Sequence, residues 1–185
     1  MLYVYSNLTL GNAKASERGL EIIRECLRKE MEAPTSERNT AYCVFAGYMG
    51  TVLLHLSTDE LPDMKKYMSS LPQGLRFFAA SVISHALYLN GEYSRALGIC
   101  DAALFSCKEI YPVGMIYLYC VTAMCEISLK NQAEAEKAIL TAWKLAVKDE
   151  LIEPFIELHG LLQGLLESCI RKENPEMYRK ISDAV

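Results

Sequence analysis

Ten residues carry the side chains most able to do chemistry: His55, His85 and His159, with Cys26, Cys43, Cys100, Cys107, Cys120, Cys125 and Cys169. A metal centre needs several nitrogen, sulfur or oxygen ligands converging on one point. The histidines are far apart in the chain, and neither a His-x-x-x-His nor a Cys-x-x-Cys spacing occurs. Cys100 and Cys107 are seven apart, hence on one face of a helix, with Cys120 and Cys125 on the next helix. That spacing leaves a thiolate cluster open, but the same residues read more plainly as small buried hydrophobes. A nucleophilic pair such as Cys120 with His85 would need an activating environment and an oxyanion site. No Gly-x-Ser-x-Gly elbow, paired-carboxylate motif or glycine-rich phosphate cradle accompanies them. The expectation is a non-catalytic chain with no metal and no cofactor.

The totals narrow the partners. The 185 residues are 51% hydrophobic and 23% charged, with a net charge of −4. A large core is possible, but the basic patch that would mark nucleic-acid binding is not present, since no Lys/Arg run exceeds two residues. No apolar stretch approaches membrane-spanning length, and the start lacks the positive region of a secretory signal. An odd cysteine count scattered through apolar segments fits reduced thiols in a cytoplasmic protein. The abrupt start, without a capping preamble, is expected of a piece of a longer protein.

Such residues must be positioned by helices, because nearly every segment has helical periodicity. The only strand-like run is 2–5, which could equally be the tail of a helix. Ala13–Glu32 has Leu20, Ile23 and Leu27 on one stripe. Pro34 ends it, and Thr35 or Ser36 caps a helix over 37–56. Further helices are expected over 60–71, 75–89, 92–107, 115–129, 131–147, 153–172 and 175–182, the last capped by Asn174 with Pro175 in its first turn.

The segment 85–104 suggests how these helices are arranged. Gly91 falls in a tight turn; Tyr93, Ala96 and Ala103 follow on the next helix. Small residues two turns apart on one face let a neighbouring helix come close. This string resembles the second half of a tetratricopeptide-type repeat. Ala96 and Ala103 map onto Ala135 and Ala142 at a spacing of 39, and Ser84 maps onto Ala123 at the same spacing. Gly47 precedes Ser84 by 37, and Gly160 follows Ala123 by 37. The standard repeat has roughly 34 residues. Lys130 stands where Gly91 stands, and Gln132 where Tyr93 stands, so the outer repeats are degenerate. The expected architecture is all-α: antiparallel helix-turn-helix repeats stacked into a right-handed superhelix. It would be one domain, 1–185, with repeats near 36–73, 74–111, 112–149 and 150–185 after a helix at 13–32.

Repeats near 40 residues with an Ala-rich second helix, here Ala133-Glu134-Ala135-Glu136-Lys137-Ala138, resemble the helical repeat region of MalT-like, LuxR-type transcription regulators. The resemblance implies a sensor or interaction region lying between an ATPase module and a DNA-binding module. Neither a Gly-x-x-x-x-Gly-Lys-Ser/Thr loop nor a LuxR-type helix-turn-helix is present, so it implies neither activity for this chain.

In tetratricopeptide-like stacks the first helices line a concave groove. The resemblance places Tyr48, Phe78, Ser81, His85, Tyr88, Tyr117, Cys120 and Met124 on it. These make an aromatic, weakly polar lining almost without cations, suited to a small apolar ligand or an amphipathic helix rather than an acidic tail. The plainer reading of the same residues is core packing. The expected function is ligand sensing or protein interaction in a LuxR-type regulator. The alternatives are a free-standing adaptor between proteins and a small helical enzyme using one cysteine. Residues 2–10 offer no polar end cap, so a missing neighbour or a homodimer contact is expected there.

Overall fold

The computed structural model describes residues 2–106 and 111–185, and these are all-helical, with no strand among them. Cys107 and the C-terminal end of the helix expected over 92–107 lie outside the described residues. The contacts divide the chain into two compact units, 1–90 and 91–185.

The first unit begins with α1 (Leu2–Thr9) and α2 (Ala13–Glu32). The 2–5 run is therefore helix, not strand. Ser16 Oγ donates to the Val4 carbonyl at 3.0 Å, tying α2 back onto α1. A Cβ on Gly19 would come within 2.8 Å of Val4 Cγ2, so the Val4 side chain of α1 occupies the space that a side chain there would need. In α3 (Glu37–Leu53), the Ser36 side chain accepts from the Asn39 amide at 3.1 Å, the expected cap.

The helix expected over 60–71 is a 3-10 segment, Met64–Ser70. Pro62 has no amide to give, and the Asp63 carboxylate takes the Lys65 amide at 3.1 Å, which delays the start. The first unit closes with α4 (Gln73–Leu89). Its core includes Leu20, Leu27, Val44, Met64, Leu71 and Ile83.

The second unit contains α5 (Tyr93–Ser106), α6 (Pro112–Ser128) and α7 (Gln132–Ala146). A 3-10 turn, Val147–Asp149, and α8 (Glu153–Glu157) follow. The long helix expected over 153–172 is broken into α8, a 3-10 turn His159–Leu162, a π-helical turn Leu166–Ile170 and α9 (Arg171–Glu173). Gly160 and Gly164 weaken a helix in that stretch. The chain leaves helical geometry at Gln163 and Gly164, with φ of 49° and 87°. The π turn still buries Leu166 and Ile170 completely. In α10 (Pro175–Ala184), Asn174 accepts from the Met177 amide at 3.1 Å. Trp143 of α7 and Phe155 of α8 pack edge to face, with centroids 5.7 Å apart.

One turn recurs with its register intact. Gly11, Gly91 and Lys130 all adopt left-handed φ, at 72°, 77° and 66°. Five residues after each, Ser16, Ala96 and Ala135 are completely buried. Their amides bond the carbonyls of Asn12, Glu92 and Asn131 at 3.1, 3.0 and 3.1 Å, opening the next helix. Nine residues after each turn, Leu20, Cys100 and Ile139 are buried as well. The turn residues are spaced 80 and 39 apart. A fourth left-handed residue, His55, closes α3 in the same way: its amide bonds Val52 O, and the Leu56 amide bonds Thr51 O, both at 3.0 Å. There the chain goes on to the 3-10 segment instead of a second helix.

Candidate functional site

The α4 row Phe78, Ser81, His85 and Tyr88 occupies one stripe of its helix. Phe78 is half-buried and meets Phe45 of α3 edge to face, centroids 6.1 Å apart. Ser81 is buried and donates to the Phe78 carbonyl at 2.7 Å. His85 is buried between His55, at 6.0 Å, and the half-buried Tyr88, at 6.3 Å, measured between ring centroids. Burial, helped by the neighbouring His55, lowers the His85 pKa to about 4, so the ring is neutral at pH 7. Its Nε2 is enclosed without a hydrogen-bond partner, as are Thr51 Oγ1 and Ser84 Oγ.

Tyr48 of α3 is also half-buried, and burial raises its phenol above the ordinary value. It borders a cavity of about 100 Å³ with Met64, Ile83 and Leu87 on the apolar side and Thr58, Asp63 and Lys65 on the polar side. That is room for a side chain or a few waters rather than a metabolite. The structure thus brings Tyr48 and the α4 row into the same unit, with rings half-exposed at both ends of the row and a buried middle.

In the second unit, Tyr117 is half-buried and donates to Glu157 Oε2 at 2.6 Å. Cys120 and Met124 are completely buried. Burial, reinforced by the Glu157 carboxylate, pushes the Cys120 thiol far above its ordinary pKa, and burial likewise pushes Cys125 up to about 12. Both thiols are therefore held in the protonated, weakly nucleophilic form. Among the described residues, no group of three or more His, Cys, Asp or Glu side chains is placed to hold a metal. No described helix is long and apolar enough to cross a membrane.

One polar cluster was not foreseen. Tyr178 donates to Glu167 Oε1 at 3.1 Å, and His159 Nε2 lies 3.1 Å from the same oxygen, out of hydrogen-bond alignment. Burial and this carboxylate raise the Tyr178 phenol. The three residues meet because the chain breaks at Gln163–Gly164, which helical periodicity does not reveal. The pair Gly160 and Gly164 was the available signal. No family model, curated protein or solved structure matches this chain.

Proposed function

We propose that the chain is a non-catalytic, tetratricopeptide-like repeat module that binds a protein segment or a small apolar ligand through half-exposed aromatic side chains. The observation that carries this reading is the recurring left-handed turn at Gly11, Gly91 and Lys130, each followed five residues later by a fully buried small residue. Spacings of 80 and 39 correspond to a repeat near 40 residues. Recurrent helix pairs of this kind stack on their neighbours, which leaves one set of helices available for partners. Tyr48, Phe78, Tyr88 and Tyr117 supply the rings, with large contact area at small entropic cost. The protonated thiols of Cys120 and Cys125 argue against a cysteine enzyme.

The repeat length and the alternation Ala133-Glu134-Ala135-Glu136-Lys137-Ala138 support placing it as a sensor region of a LuxR-type regulator. A free-standing adaptor is the alternative. Tyr3 and Leu10, 56% and 74% exposed at the first helix pair, fit a neighbour or a second copy packing there.

The test is a thermal-shift screen of the purified chain against metabolites and amphipathic peptides. A ligand that stabilises the parent but not folded Phe78→Ala, or one that stabilises the parent but not folded Tyr117→Ala, supports the reading. A ligand that stabilises all three equally contradicts it.

A further inference from the structure

Two cysteines of the first unit meet where α2 packs against α3. Two contacts fix the register of these helices. Thr40 Oγ1 donates to Glu30 Oε1 at 3.0 Å. Further along α3, a Cβ on Gly47 would stand 3.2 Å from Leu27 Cδ2, so the Leu27 side chain lies against that turn. Rising numbers on α3 thus meet falling numbers on α2, and the pair is antiparallel. One turn on from the Glu30–Thr40 contact, four residues back along α2 and three forward along α3, stand Cys26 and Cys43. Packed helix axes lie about 8–10 Å apart, with Cα atoms about 2.3 Å off each axis. Directly facing Cα atoms therefore come to about 5 Å, and pairs at the rim somewhat further, against the roughly 4.4–6.8 Å that a disulfide spans.

This pair sits at the rim of the helix interface. The adjacent Leu27 and Val44 are buried, whereas Cys26 is exposed and Cys43 half-buried. Burial raises the Cys43 thiol, helped by the Glu30 carboxylate and by Cys26, which is close enough for the two sulfur charges to interact. Cys43 is therefore held protonated, and Cys26 is the sulfur that a small oxidant reaches first. Cys100, Cys120 and Cys125 are completely buried, which shuts the same oxidant out.

We propose that Cys26 and Cys43 form a reversible disulfide in response to peroxide, a modification site that clips α2 to α3. The Cys26 thiolate attacks hydrogen peroxide; an S–O bond forms, the O–O bond breaks, and the departing hydroxide takes up the thiol's proton as water. Cys43 Sγ then attacks Cys26 Sγ; the S–S bond forms, the S–O bond breaks, and the hydroxyl leaves with the Cys43 proton as a second water. The two thiols lose two electrons and two protons, and peroxide is reduced to two waters. A dithiol reductant reverses the change by exchange. The site is separate from the aromatic rings of α4 and α6, so this inference goes beyond the proposed function and stands without it.

The test treats the folded full chain with hydrogen peroxide, blocks the remaining thiols, and digests with trypsin without reduction. The expected product in mass spectrometry is peptide 25–28 linked to peptide 39–65, at a mass two hydrogens below their sum, and separated by dithiothreitol. Cys43→Ala, with unchanged circular dichroism, is expected to leave Cys26 as a sulfenic acid, so that dimedone labels Cys26 several-fold more than in the parent. The parent's linked peptide is read without any variant, so a misfolded Cys43→Ala does not blunt the test. The proposal is overturned if peroxide oxidises Cys26 without this linkage, if Cys26 pairs with another cysteine or a second chain instead, or if Cys26 remains a free thiol.

Discussion

Acid should destabilise the first unit through one side chain, His85. In the unfolded chain its pKa is the ordinary 6.5; in the folded chain it is about 4, because burial and His55 disfavour the cation. The folded pKa is the lower one, so between these values the unfolded state binds the extra proton and stability rises with pH. The contribution is complete above about pH 6.5 and is lost as pH falls towards 4. A separation of about 2.5 pH units, at ~1.4 kcal/mol each, makes the full loss about 3 kcal/mol, with about 2 kcal/mol gone by pH 5. His85→Leu removes the titration at similar volume, and with it the enclosed Nε2 that has no partner. Urea unfolding by far-ultraviolet circular dichroism at pH 7.5 and pH 5 measures both proteins. The sole tryptophan, Trp143, reports the second unit in the same experiment. Carboxylates contribute equally to parent and variant, so the difference isolates His85. The variant should lose about 2 kcal/mol less than the parent between the two pH values. Equal losses in both proteins would refute the buried, neutral histidine.

Three further perturbations test the turns and the packing. Lys130→Gly should stabilise the chain by up to about 1 kcal/mol in chemical denaturation, because Lys130 holds a left-handed φ of 66° that glycine adopts freely. Gly91→Ala, at φ 77°, should destabilise by about 1 kcal/mol, although nothing crowds the added methyl. Gly19→Ala would drive a Cβ into Val4 and Tyr3, so limited proteolysis should cut the α1–α2 turn faster than in the parent. Native labelling with a thiol reagent should modify exposed Cys26 and spare Cys100, Cys120 and Cys125 until the chain is unfolded.

The helices were legible wherever a stop signal was local. Pro34 with Ser36, Asn90-Gly91 and Asn174-Pro175 each mark an end through backbone chemistry that acts within a few residues. The register of the pairs was legible at Ala96 and Ala135, because close approach demands a small residue at a fixed distance from the turn. Lys130 shows the limit: its left-handed φ follows from the closing hydrogen bonds of α6, not from any preference of lysine. The break at Gln163–Gly164 was missed because 153–172 keeps a helical stripe through Leu158, Leu162, Leu165 and Leu166 even though the backbone departs from it. Candidate binding residues were harder still. Phe78 and Met124 belong to similar apolar helices, but only the packing of neighbouring elements decides that one is half-exposed and the other completely buried. Arg24 carries no sequence signal at all, since a nitrogen enclosed without a hydrogen-bond partner is visible only in the folded chain.

The central claim is that this chain binds its partner through half-exposed aromatic side chains without acting on it. The most direct measurement is a nuclear magnetic resonance titration of the chain, with labelled aromatic rings, against the strongest ligand from the thermal-shift screen. The expected result is saturable shifts at Tyr48, Phe78, Tyr88 or Tyr117, with the ligand recovered unchanged. Shifts that spare all four rings, or a ligand recovered chemically altered, would contradict the claim.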